Sequence, residues 1–168
     1  GMIVVCSLSK LETTVEDVRP DRIISLLSEG TALVRPASVE EANHLHITMH
    51  DIHEPREGMT LPGEEHVRNI LDFARGWDRR RPLVVHCYAG ISRSTATAYM
   101  IAAAFAPGRS ESELARTLRK LSPSATPNPR MIALADHILR REGRMVRAIA
   151  EIGRGADAFE GTPFKLDI

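Results

Sequence analysis

Residues 86 to 94 read HCYAGISRS, which puts a thiol, a glycine, a guanidinium and two serine hydroxyls within one short stretch. PLVV, ahead of it, is a buried-looking apolar run, and a largely apolar helical pattern follows. A strand that turns straight into a helix aims the helix's first N–H groups, unpaired within it, at the connecting loop, where they bind an anion. Gly90 permits a tight turn there, and Arg93 offers a planar fork for two oxygens of a phosphate. Cys87 stands at the foot of a ring of donors made by Tyr88, Ala89, Gly90, Ile91, Ser92 and Arg93, where it is expected to act as a thiolate nucleophile. Ser94 is close enough for its hydroxyl to hydrogen-bond the sulfur and make it a better leaving group. His86 is expected to order the loop through its ring nitrogens rather than to act as an acid or base. The bland alternative for Cys87 is an inert cysteine buried at a strand end. It leaves the placement of Gly90 and Arg93 unexplained.

HCYAGISRS resembles the motif of the cysteine-dependent phosphatase superfamily, in its dual-specificity-like branch: His-Cys, five residues, Arg and Ser or Thr, between a strand and a helix. The resemblance extends more weakly through ISLLS, the strand before Asp51 and the PNPRM segment around Asn128, so it covers roughly residues 20 to 140. It implies phosphate ester hydrolysis through a phosphocysteine intermediate, without a cofactor or metal. Such chemistry needs a proton donor for the departing oxygen. Asp51 is the candidate, because it opens a loop upstream of the nucleophile, where the family carries its acid; as a carboxylate it would then activate water. Glu54 is the alternative on that loop, and Asp78 sits too close to a helix end. The superfamily's tyrosine-specific enzymes place Trp-Pro before the acid and position the second-step water with a glutamine. Here Met49 and His50 precede Asp51 and the chain has no glutamine. The loop also lacks the lysines that phosphoinositide-directed relatives place beside the nucleophile, which argues against a highly anionic inositol substrate.

Elements that position these residues are legible in the hydrophobic pattern. MIVVCSL (2–8), RIISLLS (22–28) and PLVVH (82–86) read as strands buried on both faces. HLHITMHD (44–51) alternates, with Leu45, Ile47 and Met49 facing the core. The loop 51–63 holds prolines, glycines and charges. Helices are expected over 62–77, 92–106, 110–121, where Ser110 and Glu113 suggest a capping box, 130–141 and 144–152. From Gly153 onward the chain reads as irregular. The order predicts a single α/β domain over 2–168, with a central mainly parallel sheet of about four to five strands flanked by helices and a phosphate-binding loop between a strand and a helix.

At 168 residues, 43% hydrophobic and 26% charged, with a formal net charge of +0, the composition is that of a globular domain with no global field to draw in nucleic acid or an anionic membrane. Two cysteines, Cys6 and Cys87, make no disulfide framework, no stretch is long and apolar enough to span a membrane, and no leader is evident, so a cytoplasmic location is expected. Gly1 ahead of Met2 reads as a cloning remnant. His44, His46, His50 and His53 lack a completing ligand set, and a solvated or loop-lining face is the ordinary reading. Arg79 to Arg81 read as a solvated turn, and Arg140, Arg141, Arg144 and Arg147 as the outer face of surface helices. Cys6 reads as a buried strand residue, with a redox partnership to Cys87 as the alternative. The expected substrate is a phosphotyrosine or phosphoserine/threonine protein, or a small phosphorylated molecule. The alternatives are a phosphate-binding interaction module with little turnover and a thiol-dependent arsenate reductase or sulfurtransferase-like enzyme.

Overall fold

The apolar runs form a parallel sheet whose carboxyl ends gather at one edge. In the computed structural model, which describes residues 1–168, β1 (Met2–Cys6), β2 (Arg22–Leu27), β3 (His44–Thr48) and β4 (Leu83–His86) lie in parallel, and β5 (Phe164–Asp167) runs antiparallel to β1. The sheet order is β3-β2-β4-β1-β5. Strands β2, β4 and β1 are central and almost wholly buried, as their unbroken Val, Ile and Leu runs require. Strand β3 is an edge, so its alternation survives in the burial: Ile47 is covered while His46 and Thr48 stay exposed.

Helices α2 (Glu64–Arg75), α3 (Arg93–Phe105), α4 (Glu111–Leu121), α5 (Pro129–Ile138) and α6 (Arg144–Ile152) cover the face that presents Ile3, Val5, Ile24, Leu26 and Val85. Helix α1 (Leu11–Val18) packs on the other face through Leu11 and Val15 against Val4, Ile23 and Val84. α3 is buried along most of its length, so it runs through the middle of the helical layer. Ser110 Oγ accepts from the Glu113 N–H at 3.1 Å, but the Glu113 carboxylate turns to Arg109 at 3.0 Å, so only half of the expected capping box forms.

Two expectations need correction, and one helix went unread in the sequence. The tail is not irregular throughout: residues 164–167 form β5, too short and too alternating to stand out from its irregular surroundings, with Phe164 and Leu166 inward. Between β1 and β2 the sequence LETTVEDV forms α1 despite its β-branched residues, because Leu11, Thr14 and Val15 supply one buried stripe. Helix α5 stops at Ile138 rather than Arg141. There the chain turns through positive φ at Arg140 and Glu142, and the buried Asp136 carboxylate accepts from the N–H groups of Gly143, Met145 and Val146, which starts α6.

Candidate functional site

β4 ends at His86, and α3 begins at Arg93, so the loop Cys87–Ser92 leaves the sheet between β1 and β2. Its backbone is turned so that carbonyls face outward. Tyr88 O accepts from Leu8 N–H at 3.0 Å, Ala89 O from Gly161 at 2.8 Å, Ile91 O from Thr126 at 2.9 Å and Ser92 O from Asn128 at 3.2 Å. The N–H groups of Tyr88, Ala89, Ile91 and Ser92 donate to nothing within the chain, and that of Gly90 donates to Cys87 Sγ at 3.3 Å. Such a ring of amides with its carbonyls tied back is an anion-binding concavity. Gly90 is required in it twice over. Its φ is +71°, and a Cβ there would lie 2.9 Å from the backbone of Cys6 and Ser7.

Cys87 is 2% exposed at the floor, and its thiol lies 3.1 Å from Ser94 Oγ, donating to it while protonated. Arg93, 6% exposed, is pinned by Nη1, which donates to Met49 O at 2.8 Å and Ser28 Oγ at 3.1 Å. Its Nε is buried with no protein acceptor. The guanidinium is thus fixed by one nitrogen and has donor capacity left for an anion's oxygens. Asp51 is exposed at the rim, where its Oδ1 accepts from Ser92 Oγ at 2.7 Å and from Asn128 Nδ2 at 2.9 Å. Glu54 lies on the same loop without touching the cysteine loop by a hydrogen bond, and Asp78 is spent on its own turn, accepting from Arg80 N–H at 2.9 Å.

His86 does not face the anion site. Its Nδ1 lies 3.2 Å from Cys87 O, which can only accept, so Nδ1 carries the hydrogen. Burial above all pushes its pKa down to about 4; the bond to Cys87 O opposes this, and the positive potentials of His44, His46 and Arg93 add to it. The ring is therefore neutral at pH 7, and Nε2 accepts from Ser25 Oγ at 2.5 Å. That commits Ser25's only hydrogen, so Ser25 Oγ accepts in turn from His44 Nε2–H at 2.8 Å. A directed chain, His44 to Ser25 to His86 to the Cys87 carbonyl, runs from the edge strand to the cysteine loop.

The sign of its pH dependence follows. A histidine held at about 4 when folded and about 6.5 when unfolded is neutral in both states above pH 6.5, where its contribution to stability is fully present. Below that the unfolded chain takes up a proton and the folded one does not. Unfolding free energy should fall by about 1.4 kcal/mol per pH unit from pH 6.5 towards 4 from this group. His44 and His66, also lowered chiefly by burial, act in the same direction. Urea unfolding across that range checks it; a His86→Asn variant should show the shallower slope.

The structure brings Cys87, Gly90, Ser92, Arg93, Ser94 and Asp51 together, and keeps Tyr88, Ala89 and Ile91 in the loop with unpaired N–H groups, Tyr88 itself being 60% exposed. Sequence reasoning missed Ser25, Ser28 and the reach of Asn128. Asn128 Oδ1 caps α5 by accepting from Met131 N–H at 3.0 Å, while Nδ2 donates to Asp51 and to Ile52 O at 3.1 Å. Only the cap was legible, from Asn-Pro at a helix start. Cys6 is paired beside His86 in the sheet but packs with Leu11 and Val15 on the face opposite Cys87, and burial pushes its thiol up to about 12. His44 and His46 stack with ring centroids 6.1 Å apart, and no group of three or more His, Cys, Asp or Glu side chains is arranged to hold a metal. No helix is long and apolar enough to cross a membrane.

No family model matches the chain. It is 31% identical over 97 residues to thiosulfate sulfurtransferase GlpE of Pseudomonas syringae pv. syringae (strain B728a), which covers 55% of this chain and 76% of that protein. Among solved structures it is similar to DUSP15, at 18% identity and a TM-score of 0.62, over 89% of this chain and 90% of that one. It is similar to PTPMT1 in complex with PI(5)P, at 15% identity and a TM-score of 0.62, over 89% and 93%. It is also similar to the human tyrosine phosphatase-like serine/threonine/tyrosine-interacting protein, at 13% identity and a TM-score of 0.65, over 83% and 92%. In sequence the chain is thus a relative of the GlpE sulfurtransferase, while its fold is similar to that of the dual-specificity and tyrosine phosphatase-like proteins.

Proposed function

We propose that the chain hydrolyses phosphate monoesters through a phosphocysteine intermediate. The observation that carries this reading is the ring of unpaired loop amides and the buried, unpartnered Nε of Arg93 around Cys87 Sγ. A phosphoryl group seated there has three oxygens bound by N–H donors and its phosphorus over the sulfur. Cys87 Sγ, as thiolate, forms the S–P bond as the P–O bond to the leaving group breaks. Asp51 gives its proton to the departing oxygen. Because Oδ1 accepts the bonds from Ser92 and Asn128, Oδ2 is the oxygen to hold that proton. In the second step the Asp51 carboxylate takes a proton from water, the water oxygen bonds to phosphorus, and the S–P bond breaks. Ser94 Oγ–H, 3.1 Å from Sγ, then donates to the departing thiolate. The substrate class is a phosphorylated protein or a small phosphorylated molecule, met in the cytoplasm. Acid-quenched protein incubated with an aryl phosphate should gain one phosphoryl group on Cys87 by intact mass, in the presence of a metal chelator; full turnover with no such adduct under rapid quench would overturn the covalent route.

The likeness to GlpE favours a second reading with the same loop. There the outer sulfur of thiosulfate passes to Cys87 Sγ as a persulfide, sulfite leaves, and a thiol or cyanide takes the sulfur away. Asp51 has no work in that reaction. Thiocyanate formation from thiosulfate and cyanide, faster than aryl phosphate hydrolysis and unchanged in Asp51→Asn, would establish it over the first.

A further inference from the structure

On the side of the cysteine loop away from Asp51, three separate stretches of chain enclose a cleft of about 410 Å³ lined by Leu8, Ser9, Tyr88, Ala89, Phe159 and Glu160. It borders the cysteine loop, since Tyr88 and Ala89 belong to the loop itself. Its two aromatic rings are open to solvent, Phe159 at 92% and Tyr88 at 60% exposure, and they are the chain's two exposed aromatic side chains among its large apolar ones. The stretches are laced together. Leu8 N–H donates to Tyr88 O at 3.0 Å and Gly161 N–H to Ala89 O at 2.8 Å, and a Cβ on Gly161 would lie 2.6 Å from Gly90 O. Ser9 Oγ donates to Glu160 Oε2 at 2.6 Å, which fixes the carboxylate among the residues that line the cleft. Hydrogen bonds from the Ser7 and Ser9 hydroxyls hold that carboxylate's pKa below its ordinary value.

We propose that this cleft is a specificity subsite for a lysine or arginine side chain flanking the phosphorylated residue of a peptide substrate. An apolar wall ending in a carboxylate matches a side chain with an aliphatic stem and a cationic head, and two aromatic faces add attraction for the cation. Lys10, close enough to act on Glu160 through its charge, weakens the site without neutralising it, because the Ser9 bond holds the carboxylate in place. A second phosphate or an inositol headgroup would meet Glu160 at the rim, and the loop offers no lysine to offset it. Leu8, Ser9, Phe159 and Glu160 of its lining lie outside residues 20–140, where the motif resemblance runs.

This inference rests on the phosphate-site reading and is tested separately from turnover. Two phosphotyrosyl peptides, identical but for Lys or Glu at the position beside the phosphotyrosine, are titrated into the Cys87→Ser protein by fluorescence anisotropy. The Lys peptide should bind on the order of ten times more tightly. In the Cys87→Ser background Glu160→Gln and Phe159→Ala should each cut that ratio to about three or less. With Cys87 present, both changes should leave p-nitrophenyl phosphate hydrolysis within about twofold, since that substrate does not reach the cleft. Equal affinities for the two peptides, no measurable binding of either, or an unchanged ratio in Glu160→Gln would overturn the subsite. Failure of the wild type to hydrolyse p-nitrophenyl phosphate, with the Lys preference intact, would overturn the hydrolase reading and leave the subsite standing.

Discussion

Cys87→Ser should abolish turnover of every phosphate ester while leaving phosphate-dependent binding in place. A serine oxygen occupies the position of the sulfur, so the loop amides, Arg93 and the Ser94 hydroxyl keep their geometry around an anion. What is lost is the nucleophile: an alcohol at neutral pH has almost no ionised fraction, and no general base stands within reach, because His86 faces Ser25 and the Cys87 carbonyl instead. A loss on the order of 10⁴-fold or more in kcat is expected, with Kd for a phosphopeptide changed by less than about fivefold. Steady-state rates with p-nitrophenyl phosphate and a binding titration measure the two. Residual activity above about 1% of wild type would remove Cys87 from the nucleophile's role.

Asp51→Asn is the second large effect, and its size should depend on what leaves. Asparagine keeps an oxygen to accept from Ser92 and Asn128, so the rim stays ordered while the proton is gone. For an alkyl phosphate, whose alkoxide departs badly, kcat should fall by about 10² to 10⁴; for p-nitrophenyl phosphate, whose leaving group needs little help, by less than about tenfold unless the second step limits the rate. A burst of nitrophenolate followed by a slow steady rate would show that step to be limiting, since water then has to attack without its base. Equal losses across a series of leaving groups would assign Asp51 to structure alone.

Much of this site was readable from one segment because its parts are close in sequence. A strand, a six-residue loop closed by Arg93 and a helix start are local features of HCYAGISRS, whereas the backbone of Leu8, Gly161, Thr126 and Asn128, which ties the loop's carbonyls back, comes from elsewhere in the chain. Asp51 was legible because it ends an alternating strand and opens a Pro- and Gly-rich loop. The residues that hold these groups were not. Ser28 meets Arg93 and Ser25 meets His86 only because β2 lies beside β4 in the sheet, an adjacency that no local periodicity encodes. Asn128 advertises its helix cap, whereas its grip on Asp51 depends on how two distant loops converge. The Phe159–Glu160 stretch looked like tail because a phenylalanine beside a glutamate has no period, and its place against Ala89 is set by β5 pairing with β1 behind it.

One amide side chain joins α5 to the acid, and this gives the fold a way to switch off chemistry without touching the nucleophile. If α5 frays at its first turn, the Asn128 side chain releases the Met131 N–H and Asp51 together, and the Asn128 backbone releases Ser92. Local opening of that turn would leave Cys87 and Arg93 in place, since both are fixed by the sheet and by α3, and the chain would bind phosphate esters while hydrolysing them slowly. On the hydrolase reading, the fraction of molecules competent for catalysis would then follow the opening free energy of the first turn of α5.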